Sequence, residues 1–344
     1  MSDINERSYL LDNLKGLLIV FVVIGHFFDV WASKYFNIRF IYTFIYLFHM
    51  PCFIFISGYL TKDPEKSRGN AFENLLVPYI VMSVLWKTYC TIFSIVLHGY
   101  SSKLLTFSIL NPAYGLWYLQ ALFIWRYFLK DILRIKYTLL VSILLSLLVG
   151  TVNEFGTVLS MSRVIVYLPF FLAGYYVRHK NYLPEILSIS KKHAWIIVFI
   201  TGCVALLLSL QSNSLFRFLF YYNSYHLLGL NNVVGIITRA MTLFVGLMMT
   251  AALFKILPDK QTKLVAIGRN SMVVYIGHFY IAYYFHNMFY NLTEFNILLL
   301  GSFLIFMTIL FLSLDSISNI YNKFMNNILN IILIKRPIHY KNII

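Results

Sequence analysis

The sequence predicts an all-α fold: a polytopic membrane helix bundle of about ten transmembrane helices, with both termini cytoplasmic. Three observations predict it. Hydrophobic residues make up 60% of the chain and charged residues only 12%, against about 25% charged in a soluble domain. Apolar stretches near the ~20 residues that cross a bilayer recur along nearly the whole chain. The basic residues also sort by side. Twenty of the 28 lysines and arginines fall on one side when connections alternate, and five on the other. Lys87, Arg126 and Arg239 lie within spans. The positive-inside rule makes the richer side cytoplasmic. The net charge of +15 is therefore mostly topology, and no nucleic-acid partner is expected.

The expected spans are 12–30, 41–60, 75–97, 116–133, 137–150, 163–177, 194–210, 233–254, 271–289 and 296–317. They form one transmembrane domain over 1–320. A basic cytoplasmic tail, 321–344, is expected to lie on the inner leaflet and meet anionic lipid head groups. No small-residue cleavage site follows the first span, so it reads as an uncleaved anchor.

The first span carries the chemistry. After Asp12, Asn13 and Lys15 come nine residues, 17–25, with no polar side chain, and then His26 and Asp29. An ionisable group at such depth is expensive and usually faces a working polar cavity. His26 and Asp29 are three apart, on one helix face, where a carboxylate can orient an imidazole as a general base. Lys15 precedes His26 by eleven residues, roughly 16 Å along a helix, on much the same face.

In the second span Pro51 is expected to kink the helix beside His49. His49 is either a packing histidine or a second site imidazole facing His26. Arg68 sits in the basic connection before the third span, as a positive-inside anchor or a phosphate ligand. Lys87 either snorkels or pairs with a buried acid. Asn111, Tyr114, Trp117, Tyr118 and Gln120 gather near the outer interface, as an aromatic belt or a sugar-stacking surface. Arg126 is a buried cation whose partner the sequence does not name. Arg163 opens the sixth span. The stretch 212–232, with Arg217, Tyr221, Tyr222, Tyr225 and His226, reads as an interfacial helix or lid. Arg269 lies at the cytoplasmic interface, and His278 about two turns into the membrane. His286 reads as interfacial. Cys52, Cys90 and Cys203 lie in apolar runs without metal or disulfide spacing, and no metal site is expected. Nucleophile-elbow, Walker and dinucleotide fingerprints are absent.

Five motifs occur in order. They are Lys15 with ten intervening residues and His26, FHMPCFIFISGYL (48–60), LWYLQALFIWR (116–126), RVIVYLPFFLAGYYV (163–177) and GRNSMVVYIGH (268–278). Together they resemble the bacterial membrane-bound acyltransferase-3 family, most closely its fucose 4-O-acetylase-related branch. That family usually has Arg at the position of Lys15, and a basic pair where only Arg68 stands here. The resemblance implies an O-acyltransferase of the bacterial plasma membrane. It would move an acetyl or other acyl group from cytoplasmic acetyl-CoA to a hydroxyl of a surface polysaccharide or lipid-linked glycan. Lys15, Arg68 and Arg269 would meet the donor's phosphates. His26, Asp29 and His49 would be catalytic, and Trp117, Tyr118, Arg163 and His278 would bind substrate. His49 or His278 would stabilise an oxyanion or position the acyl carbonyl. Two mechanisms stay open, direct attack with His26 as base or an acyl-histidine intermediate. A lipid-linked-sugar exporter and a catalytically dead assembly partner are the alternative readings.

Overall fold

The computed structural model describes residues 8–98, 111–112, 114–153, 158–211 and 215–333. Among these residues every regular element is helical. Ser8 caps α1 (Tyr9–Phe28) by accepting from the Leu11 amide, so the first span starts at the site's own polar residues. A short turn (Asp29–Trp31) leads to α2 (Phe36–Tyr46), which begins five residues before the predicted second span.

The second span is two helices. α2 ends at Tyr46, and α3 runs His49–Tyr59. Pro51 has no N–H to give the Leu47 carbonyl, so the ladder cannot pass through it. The break falls just ahead, at Leu47 and Phe48, and leaves Pro51 in the first turn of α3, where proline is tolerated. Asp63 caps α4 (Pro64–Ala71), and α5 (Val77–His98) follows through a widened turn at Phe72–Leu76. Pro78 again removes a donor at this point.

The remaining helices are α6 (Trp117–Ile132), α7 (Thr138–Leu148), α8 (Met161–His179), α9 (Leu183–Ser188), α10 (Lys191–Leu210) and α11 (Asn232–Ile256). They are followed by α12 (Lys263–Arg269), α13 (Ser271–Phe289), α14 (Glu294–Leu312) and α15 (Asp315–Ile332). Each of the ten expected spans falls on helix. Six stretches are long and apolar enough to cross a membrane by length and composition: Tyr9–Trp31, Phe36–Tyr59, Pro64–Leu97, Lys191–Leu210, Asn232–Ile256 and Glu294–Leu312. The other expected spans do not reach that length and composition: α6, α8 and α13 carry Arg126, Arg163, His278 and His286 among their residues, and α7 is short.

α1 is the central element. It packs against α2, α3, α12, α13 and α14. α3 and α8 cross in close contact, because a Cβ on Gly58 would collide with the Phe171 carbonyl, and one on Gly174 with that of Phe55. The tenth span ends at Leu312, and an amphipathic helix, α15, begins at Asp315 with Met325 buried and Ile320 and Phe324 outward. Residues 334–344 of the expected tail lie outside the described residues.

The stretch read as an interfacial helix or lid holds two short turns, Leu215–Phe220 and His226–Leu228, with Phe218, Leu219, Tyr221 and Tyr225 buried and Leu227 exposed. Tyr225 pins it. Its amide donates to the Gly150 carbonyl (2.7 Å) and its hydroxyl to that of Leu147 (2.7 Å). A cavity of about 770 Å³ lies between α7, α8, α9 and α11. Its walls are apolar, and it holds none of the predicted site residues.

Candidate active site

α1 and α13 bring the imidazoles together. The ring centroids of His26 and His278 lie 5.3 Å apart, and Phe279 packs on both, at 5.2 and 4.0 Å. The predicted His26–Asp29 pair is present, with Nδ1 to Oδ2 at 4.0 Å, the outer limit of an ion pair. Asp29 stands closer to a residue the sequence reading gave no role. Its Oδ1 lies 3.5 Å from His286 Nε2. His286 is buried rather than interfacial. Its Nε2 donates to the Phe27 carbonyl (3.1 Å), and its ring packs on Trp31. His286 lies eight residues after His278 on α13, a spacing that could have marked it.

Two further imidazoles have their tautomers fixed by backbone. His278 Nδ1 donates to the Val274 carbonyl (2.9 Å), and His49 Nδ1 donates to that of Ile45 (2.8 Å). A carbonyl only accepts, so each neutral ring keeps its proton on Nδ1 and its lone pair on Nε2. The Nε2 of His278 is enclosed and meets no hydrogen-bond partner among the described residues. The expectation that His49 or His278 stabilises an oxyanion does not fit this geometry. A neutral ring with a bare Nε2 can accept a hydrogen bond but cannot donate one to an anion. The Ile45 carbonyl, near the end of α2, accepts from the Phe48 amide (3.2 Å) as well as from His49.

Arg163 lies within electrostatic reach of His26, together with His278, His49 and His286. Its Nε donates to the Phe220 carbonyl (2.8 Å). Its guanidinium lies 5.0 Å from the Trp117 ring and 5.1 Å from that of Tyr222. Trp117 stacks on Tyr167, and Tyr46 packs on His49 at 4.6 Å. Arg163, Trp117, Tyr222 and Tyr46 thus form an aromatic wall with one cation beside the imidazoles.

Tyr118 packs edge-on against Trp117, with ring centroids 6.4 Å apart, and its hydroxyl lies 2.6 Å from that of Ser57. Tyr118 and Ser57 line a narrow cavity of about 190 Å³ between α1, α3, α6 and α13. The walls are mostly apolar, with Ile19, Val22, Met50, Phe53, Leu119 and Tyr275 among them, and include Lys15, Arg126 and Ser271. One end is at Lys15. At the other, Val22 and Tyr275 lie one turn before His26 and His278 on their helices.

At the Lys15 end a missed residue organises the cations. Asp12 is buried and holds Lys15 Nζ at 2.7 Å and Arg269 Nε at 3.9 Å. Gly268 lets α12 lie against α1 at Asp12, since a Cβ there would strike the Asp12 carbonyl. An acid three residues before Lys15 was legible as its helical neighbour. Arg68 is not brought to this cluster. It pairs with Asp131 and donates from Nε to the Tyr127 carbonyl (2.6 Å), joining α4 to α6. Among the described residues no three His, Cys, Asp or Glu side chains converge to hold a metal ion.

A helical bundle built to cross a membrane, with an enclosed imidazole cluster at the head of an internal cavity, defines the class of this protein. The family model described as an acyltransferase domain, acyltransferase 3, matches residues 8–315, and the chain belongs to that family. It is also similar to the nodulation protein NolL of Sinorhizobium fredii, 31% identical over 137 residues. The NolL of Mesorhizobium japonicum is 34% identical over 96 residues. These matches cover 35% and 24% of this chain, and the chain spans only 36% and 24% of the relatives' lengths. No solved structure matches it.

Proposed function

We propose that the protein is a membrane O-acyltransferase that moves an acetyl group from acetyl-CoA to a hydroxyl of a cell-surface or lipid-linked glycan. The observation that carries this reading is the His26–His278 pair at the head of a cavity whose other end is cationic. An acyl thioester entering at Lys15 would present its carbonyl near the imidazoles. The sugar would approach from the side of Arg163 and Trp117. Its hydroxyl gives a proton to His26 as its oxygen bonds to the thioester carbon. The C–S bond then breaks, and the thiolate takes that proton to leave as a thiol. His278 Nε2 accepts a hydrogen bond from a neighbouring hydroxyl of the sugar and so orients the acceptor. The Asp29 carboxylate favours the imidazolium that forms between the two proton transfers. Transfer through an acyl-histidine is the other route, with the same reactants and products.

On this reading the protein sits in the bacterial plasma membrane, the Lys15 end and both termini face the cytoplasm, and the donor's nucleotide stays there. The test is binding and turnover of labelled acetyl-CoA by the purified protein in detergent. His26→Ala should lower turnover by about 10²–10⁴-fold while the protein stays folded. Lys15→Ala should weaken binding instead. Absence of saturable binding in the wild type would overturn the proposal. Flux of lipid-linked glycans would then be the activity to measure.

A further inference from the structure

Arg126 is a cation without an acid. It lies mid-helix in α6, between Leu122 on the cavity wall and Lys130 at the surface. Lys130 pairs with Glu65, and the nearby Asp131 pairs with Arg68. No carboxylate reaches Arg126 among the described residues, and its Nε is enclosed with no hydrogen-bond partner. Burying a charge is tolerated when it is paired, and this one is aimed into the same cavity as Lys15. The missing partner is therefore an anion that belongs in the cavity.

The distance to the imidazoles identifies it. Lys15 and His26 are eleven residues apart on α1, or roughly 16 Å of axial rise. A 4′-phosphopantetheine arm has about thirteen bonds between thioester sulfur and phosphorus. At about 1.25 Å of advance per bond, as in an extended peptide, it spans roughly 16 Å. The walls between carry the Ser57–Tyr118 hydroxyl pair and Ser271, which suit the arm's two amides, set among apolar side chains that suit its methylenes.

We propose that Arg126, with Lys15, binds the 4′-phosphate of an S-acyl phosphopantetheine donor, so that the length of α1 from Lys15 to His26 measures the arm. The inference rests on the acyl-transfer reading above and adds to it the residue and the group that set the donor's depth. Arg126 is the better phosphate ligand of the two, since its fork can meet two oxygens while Lys15 is shared with Asp12. The arm's carrier is either coenzyme A or an acyl carrier protein, as both present the same phosphate.

The test compares dissociation constants of acetyl-CoA, an acetylated acyl carrier protein, acetyl-4′-phosphopantetheine and acetyl-pantetheine on the full-length protein in detergent. The wild type should bind acetyl-4′-phosphopantetheine at least about tenfold tighter than acetyl-pantetheine, as charge-assisted bonds to one phosphate predict. In Arg126→Gln that ratio should fall to about twofold or less, and Arg126→Lys should keep part of it. A ratio taken within one preparation does not depend on the fraction folded, and the wild-type comparison needs no variant. Equal binding of the two arms by wild type, or a ratio kept in Arg126→Gln, overturns the inference while leaving acyl transfer standing. Failure of both acetyl-CoA and the acetylated carrier protein to bind overturns the acyl-transfer reading, and this inference with it.

Discussion

His286 and Asp29 show how residue-scale chemistry depends on partners that sequence spacing does not rank. The (i, i+3) relation of His26 and Asp29 is real, but the carboxylate lies nearer His286, at 3.5 Å against 4.0 Å. One anion thus stands between two imidazoles. Asp29→Asn keeps the shape and removes that charge. Under the proposed mechanism turnover should fall by about tenfold or more, with donor binding little changed. Steady-state kinetics with labelled acetyl-CoA would show it, and a loss confined to KM would contradict it. Arg239 is a second residue-scale case. It is fully buried, and its guanidinium lies 5.3, 5.1 and 4.8 Å from the rings of Phe218, Tyr221 and Tyr225. A planar guanidinium stacks in such a cage where an ammonium does not. Arg239→Lys should cost about 1–2 kcal/mol, read as a lower melting temperature in detergent.

At the scale of elements, the broken second span decides more than its hydropathy suggests. The break falls at Leu47 and Phe48, and the Ile45 carbonyl beside it accepts from both the Phe48 amide and His49 Nδ1, which keeps that ring's proton on Nδ1. Proline at position 51 was visible in the sequence, and so was a kink. The consequence for a tautomer was not, because it needs the position of one carbonyl. The crossing of α3 and α8 is the matching case for packing. Gly58 and Gly174 each face backbone of the other helix. Gly58→Val adds a branched side chain where even a Cβ collides. It should destabilise the fold by about 1–3 kcal/mol or more. Thermal unfolding would measure this, and an unaltered melting temperature would be inconsistent with the crossing described here.

For the whole molecule, α1 would serve both ends of the proposed reaction. Lys15 and Asp12 stand at one end, His26 and Asp29 at the other, and the cavity runs beside it from the first pair toward the second. The proposed topology turns this into a direction, donor from the Lys15 side and acceptor from the Arg163 side. A thiol-reactive reagent that cannot cross membranes checks it. A cysteine placed at Lys66 in α4, on a background lacking the three native cysteines, should react only in inside-out vesicles. Reaction from the outside of intact cells would reverse the assignment.

Much of this was legible without coordinates, for identifiable reasons. Hydropathy fixed the helical class, since only paired backbone survives in hydrocarbon. Depth in an apolar run marked His26 and Asp29, because a group there is expensive to bury. The five motifs in order carried the family resemblance, and with it the candidate roles of His49, Arg163 and His278. What only the tertiary structure decided was which of these groups meet. It set His286 beside Asp29, and it placed Asp12 between Lys15 and Arg269. It set Tyr118 in the cavity wall with Arg126, and it left Arg68 in a separate pair with Asp131. Periodicity names the face of a helix on which a residue sits. The neighbour that face meets is chosen by packing, through close crossings at glycines and breaks at prolines, and that choice assigns each imidazole its proton and each cation its partner.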